Sequence, residues 1–273
     1  MSSNSGWGAP SSENARDPLT SETPPDLSAP PVEDPPFGGI EVLQIGLLIF
    51  IVPIIASAFL VVLIQKIWYP QLSLQAVQAK PWLLLGPQLV WFALVTLFLI
   101  DYSKGRFHQS LWQAIRWNWP KSGWLTIIGA GVASLSLVGL ERLLPMPKTS
   151  PFDKFFQTPI NGYAIAVLGI LFAPFMEELF FRGFLYPVLA RRAGVAASVL
   201  LTASLFGIIH YPQYKAWGPV FIVFLVGVIL GVVRAWTRSV AASFVVHAIY
   251  NGVPILTIML ASHGFQHMEK LAQ

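Results

Sequence analysis

The sequence contains no cysteine. Disulfides and thiolate metal sites are excluded together, so any metal would rest on histidine and carboxylate ligands alone. Charge is almost as scarce. Asp, Glu, Lys and Arg make up 11% of the 273 residues, against 55% hydrophobic residues and a mean hydropathy of +0.62. That balance is too apolar for an ordinary soluble domain and points to a multi-pass integral membrane protein. Three sequence signatures of proteolysis are missing as well: there is no HExxH, no GxSG and no GxGD. Asp101, the one aspartate at a membrane boundary, has no second aspartate partner at depth.

The formal net charge of +4 is unevenly spread. Seven of the 13 acidic residues (Glu13, Asp17, Glu22, Asp26, Glu33, Asp34, Glu41) fall within the first 41 positions, where solvent is expected to cover them. The remainder of the chain is correspondingly basic, which suits anionic lipid headgroups and offers nothing to nucleic acid. Residues 1–40 read as a disordered leader rich in Pro, Ser and acid. It lacks the basic start and early apolar core of a cleavable signal peptide, and deletion of residues 1–38 is expected to leave folding intact.

Apolar runs follow at about 43–64, 82–100, 123–143, 161–181, 195–210, 218–236 and 239–261, each near the ~20 residues a helix needs to cross the bilayer. The expected fold is therefore all-α, a bundle of seven transmembrane helices, or eight if Pro254 breaks the last run. Trp68, Tyr69, Trp82, Trp117, Trp119, Trp124, Trp217 and Trp236 fall at run ends, as interfacial aromatics do. Residues 41–159 form an N-terminal group of spans with a connection at 104–121 that reads as an amphipathic surface helix. Residues 160–255 form a second region, and 256–273 a tail. With the N-terminus cytoplasmic, ten Lys and Arg residues lie on that side, Arg182 and Arg234 among them, against seven opposite.

Only Glu177 and Glu178 have apolar residues on both sides, and an ionisable group at membrane depth costs at least ~2.5 kcal/mol. Glu178 and Arg182 stand at i and i+4 and can neutralise each other, whereas Glu177 is rotated ~100° away without a local partner. Pro174, just before them, is expected to loosen or kink the helix. Two later helices add Phe206 with His210, and His247 with Asn251, each pair again at i and i+4. Glu, Glu, Arg, His, His and Asn converging in an apolar bundle call for a functional reason. Three chemistries fit: a carboxylate base with an oxyanion hole, a zinc bound by Glu177, His210 and His247, or a proton relay for transport.

EExxxR (Glu177, Glu178, Arg182), FxxxH (Phe206, His210) and HxxxN (His247, Asn251) occur in that order. Through them residues 160–255 resemble the CPBP intramembrane proteases, which include CAAX prenyl endopeptidases and bacterial Abi-type proteins. The resemblance implies an endopeptidase in which Glu177 and His210 activate water and His247 and Asn251 stabilise the oxyanion. Glu178 and Arg182, with Phe206, then support the site. Its implied partners are membrane lipid and a peptide or prenylated protein substrate, its implied location a bacterial inner membrane. No cofactor is expected on this reading, with zinc as the alternative. A non-catalytic scaffold or immunity-type protein built on the same bundle is the competing expectation.

Overall fold

The computed structural model describes residues 33–78, 80–120, 123–147, 156 and 158–268, and every regular element among them is helical. The helices are α1 (Gly39–Trp68), α2 (Leu74–Gln78), α3 (Pro81–Phe107), α4 (Leu111–Ala114), α5 (Trp124–Leu140), α6 (Pro159–Ala193), α7 (Val195–Ile209), α8 (Tyr211–Tyr214), α9 (Trp217–Thr237) and α10 (Val240–Ala261). Six stretches are long and apolar enough to cross a membrane: α1, Gly86–Phe107 within α3, α6, the α7–α8 stretch, α9 and α10. The apolar α5 is shorter, at 17 residues. Pro254 does not split the last run, because α10 continues through it without a break.

Local chemistry sets the helix ends. Thr158 caps α6 by accepting the Asn161 N–H, with Pro159 in the first turn, and Gly194 at φ +80° ends it. Ser239 caps α10 through the Ala242 N–H at 3.0 Å. At 35 residues α6 runs well past the apolar run at 161–181 and ends on Arg191 and Arg192.

Three prolines inside these long helices share one solution. A π-helical turn precedes each: Leu47–Ile51 before Pro53, Leu168–Phe172 before Pro174, and Leu179–Leu185 before Pro187. In each turn the residue before the proline bonds five back rather than four: Val52 to Leu47, Ala173 to Leu168, Tyr186 to Phe181. The next carbonyl along would use the proline nitrogen, which has no proton. Leu48, Gly169 and Arg182 are thus left with carbonyls that lack a main-chain donor. Each is satisfied by a side chain from another helix: Trp91 Nε1 to Leu48 at 3.1 Å, Asn251 Nδ2 to Gly169 at 2.8 Å, and Arg234 Nε to Arg182 at 3.0 Å. With no water in hydrocarbon to serve instead, neighbouring helices must supply these donors. Pro174 therefore widens its helix rather than breaking it.

The main core forms around α6. Met176, Leu179, Phe180, Phe181, Phe184 and Val188 pack against Val42, Ile45 and Ile49 of α1, Phe92, Val95 and Leu99 of α3, and Phe206 of α7. Helices α7 and α9 approach closely where Gly227 meets Ala203, since a Cβ on that glycine would lie 3.0 Å from the Ala203 Cα.

Three expectations need correction. Residues 33–38 are not wholly solvated: Glu33 is 5% exposed and Phe37 2%, because Glu33 pairs with Arg234 and Arg116 while Phe37 packs between Phe107 and Phe184. The remainder of the supposed leader, residues 1–32, lies outside the described residues. The connection at 104–121 is not a surface helix. Its start belongs to α3, then α4 buries Leu111, and Ile115 sits 3.1 Å from where a Cβ on Gly183 would stand. Finally, the stretch 256–273 is helical to Ala261 and then turns back, setting Phe265 against Phe156 and Tyr163; residues 269–273 lie outside the described residues.

Candidate active site

Helix α6 carries both carboxylates, and the helical rotation between them gives adjacent residues opposite surroundings. Glu178 is fully buried and Glu177 keeps 18% of its side chain exposed. Glu178 Oε1 accepts from Arg182 Nη1 at 2.9 Å, one turn on, as the i, i+4 spacing predicts. Arg182 Nη2 donates to the Gly227 carbonyl at 2.9 Å, which ties α6 to α9. Its guanidinium also lies 4.9 Å from the Phe206 ring.

The two histidines arrive from α10 and from the end of α7. His247 Nδ1 meets Glu178 Oε1 at 2.9 Å, and His210 Nδ1 meets the Phe206 carbonyl at 2.7 Å. A carboxylate and a carbonyl can only accept, so both imidazoles hold their proton on Nδ1 and turn Nε2 toward Glu177. His247 Nε2 lies 3.7 Å from Glu177 Oε2, and His210 Nε2 lies 4.0 Å from Oε1. Glu177, solitary on its own helix, thus stands between two imidazole edges. Phe206 holds them apart, its ring 4.8 Å from that of His210 and 5.6 Å from that of His247.

Six of the seven residues singled out by motif are therefore brought into mutual contact, while Asn251, one turn from His247, has a different partner. It shares a helix face with His247 but reaches α6 at the Gly169 carbonyl left open by Pro174. One of its two amide protons is engaged there and one is left. His210 is 16% exposed against 4% for His247, so the site is accessible from the side of Glu177 and His210.

Among the described residues no group of three or more His, Asp or Glu side chains is arranged to hold a metal ion. Glu177, His210 and His247 come nearest, but the histidines address different oxygens of one carboxylate.

Two participants escaped the reading of motifs. Arg234 is fully buried and bonds the Arg182 carbonyl, and Glu33 neutralises it through two hydrogen bonds of 2.6 and 2.9 Å. Arg234 lies inside the apolar run 218–236, so its depth was a readable signal, and Pro187, five residues beyond Arg182, marks the carbonyl it serves. Neither Arg182 nor Arg234 is a loop cation, and both leave the orientation count.

Residues 159–253 match the family described as Rce1-like, type II CAAX prenyl endopeptidase Rce1-like. No curated protein and no solved structure matches the chain. The match spans α6 to α10 and takes in the two carboxylates, both imidazoles and Asn251. Over this segment the chain is similar to the CAAX-type intramembrane proteases.

Proposed function

We propose that the protein is a metal-free intramembrane endopeptidase in which Glu177 is the general base. The observation that carries this is the convergence of two Nε2 edges on Glu177. Neutral Nε2 and a carboxylate are both acceptors, so donors belong between them, and a water is a donor of the right size. A water bridging Glu177 Oε1 and His210 Nε2 would give a proton toward each and direct a lone pair at a substrate carbonyl. Attack forms the C–O bond as Glu177 takes the proton. Glu177 then returns it to the amide nitrogen as the C–N bond breaks.

His247 can donate from Nε2 only when both ring nitrogens carry a proton, with Nδ1 held on Glu178 at 2.9 Å. In that form it and the free amide proton of Asn251 would bind the developing oxyanion. Glu178 and Arg182 hold the imidazole in place. The substrate is a peptide or a prenylated protein reached from the lipid phase, the class that the family match indicates.

Contacts at one face support seven spans. Residues 33–34 touch Arg116, Arg191 and Arg234, and the Val240 N–H donates to the Arg116 carbonyl. Leaving and regaining that face between 118 and 191 takes two crossings, α5 and α6. At 17 residues α5 reaches about 26 Å, close to the ~30 Å of hydrocarbon. Lys104, Arg106, Arg192 and Arg238 sit at helix ends on this face, which favours the cytoplasmic side of a bacterial inner membrane.

Cleavage of a quenched library of plain and prenylated peptides by detergent-purified protein tests the reading, with wild type and Glu177→Gln each assayed with and without a strong chelator. Turnover should fall by ~100-fold or more in the variant and ignore the chelator. Loss to chelator with recovery on zinc would turn Glu177, His210 and His247 into ligands. No cleavage under any condition would remove the enzyme reading.

A further inference from the structure

We infer that Arg234, charge-balanced by Glu33, is a positioning residue for the active site, and that catalysis therefore depends on the docked segment 33–38. The inference rests on the protease reading above for its kinetic consequence, though not for its structural one.

The π-helical turn Leu179–Leu185 begins directly after Glu178 and contains Arg182. Its geometry decides how the Arg182 guanidinium meets Glu178, and through Glu178 how the His247 ring is aimed. The turn leaves the Arg182 carbonyl open, since Tyr186 bonds Phe181 and Pro187 has no N–H. Arg234 Nε fills that position at 3.0 Å. A guanidinium with 0% exposure cannot stay there without a counter-charge. Among the described residues, no helix supplies a carboxylate to Arg234. Its partner is Glu33, which takes Nη1 on Oε1 and Nη2 on Oε2, the forked pairing that fixes a guanidinium plane. The Tyr186 ring, 5.3 Å from Cζ, covers it further.

Glu33 lies in non-helical chain and is itself held from several directions. Arg191 Nη1 bonds Asp34 Oδ1 and the Pro35 carbonyl, both at 3.1 Å, and Arg191 Nη2 the Phe37 carbonyl at 3.3 Å. Arg116 adds a second cation to Glu33 at 3.3 Å. An unbroken series of contacts thus runs from Glu33 through Arg234, the Arg182 carbonyl, the Arg182 side chain and Glu178 to His247. When Glu33 loses its charge, Arg234 is drawn toward solvent, the Arg182 carbonyl loses its donor and the π turn relaxes.

The test uses the full chain in detergent micelles with 15N-labelled histidine. There are only five histidines, and His247→Gln assigns the signal that matters. The variants are Glu33→Gln, Arg234→Lys, both together, and the uncharged pair Glu33→Gln with Arg234→Met, which removes both charges of this buried pair and so protects folding. Lys66→Gln, at an exposed residue of α1 outside segment 33–38, is the control. Each of the four should move the His247 resonance and lower kcat on the order of 10-fold while KM stays within about twofold. The Glu33→Gln, Arg234→Lys double variant should be no worse than either single, because one contact is being removed twice. The control should change neither readout.

An unmoved His247 resonance alongside a lowered Tm would overturn the inference and reduce Glu33 to an anchor. If the wild type cleaves nothing yet the resonance moves in all four variants, the positioning stands and the protease reading falls.

Discussion

Asn251 and Gly169, 82 residues apart, are joined by an amide-to-carbonyl hydrogen bond of 2.8 Å. The bond exists because Pro174 cannot serve that carbonyl, so the third motif of the site also completes the helix that carries the first. A buried carbonyl left unpaired costs about 1–3 kcal/mol. Asn251→Ala should therefore destabilise the protein by about that much in chemical denaturation. In a Pro174→Ala background the new main-chain N–H can take over, and the penalty should shrink. Equal penalties in the two backgrounds would refute the account of the π turn.

The two adjacent glutamates should separate on stability while agreeing on activity. Glu178→Gln leaves Arg182 buried without its counter-charge, a loss of about 3–5 kcal/mol, and also frees the His247 ring. Glu177→Gln touches no contact shorter than 3.7 Å and should cost about 1 kcal/mol or less. Both should lose turnover. Thermal unfolding beside a cleavage assay would show this, and equal stabilities would contradict the assigned surroundings.

Deletion of residues 1–38 should now destabilise the protein, against the expectation from composition. It strips Arg234 of Glu33 and takes Phe37 from between Phe107 and Phe184. Leaving a buried charge unpaired costs about 3–5 kcal/mol, and losing a buried Phe about as much again. A deletion that stops before Glu33 keeps both contacts. Unfolding midpoints of the two deletions in the same detergent make the comparison, and identical values would show the segment to be dispensable.

Gly227→Ala should loosen α9 from α7. The added methyl would stand 3.0 Å from the Ala203 Cα and 3.2 Å from its Cβ, neither of which can rotate aside. Overpacking of this kind costs about 1–3 kcal/mol. The carbonyl of the same residue holds Arg182, so activity should drop with stability. Retention of both would mean that the helices have room to part.

How much of this could be read from the chain depends on the range of the interaction. Glu178 with Arg182, and Phe206 with His210, sit one helical turn apart, and the structure keeps each pair in contact. His247 and Asn251 were just as legible as a pair on one face, yet they serve different partners, Glu178 and Gly169. Spacing within a helix says which side chains point together, not what stands opposite. Arg234 was misread for a related reason: a cation near the end of an apolar run looks like a loop charge until the group that neutralises it, Glu33 from 201 residues away, is in view.

The sequence by itself determined that this is a helical membrane protein with two carboxylates, two imidazoles and an amide at depth, because hydropathy and the 3.6-residue turn are local properties. The tertiary structure decided what stands opposite Glu177, the Nε2 edges of two histidines from other helices. It also decided that proline-opened carbonyls are closed by Trp91, Asn251 and Arg234, and that Glu33 near the N-terminus neutralises the last of these. Those outcomes hang on desolvation and hydrogen-bond partners supplied by distant helices, and no stretch of chain carries its distant partner within itself.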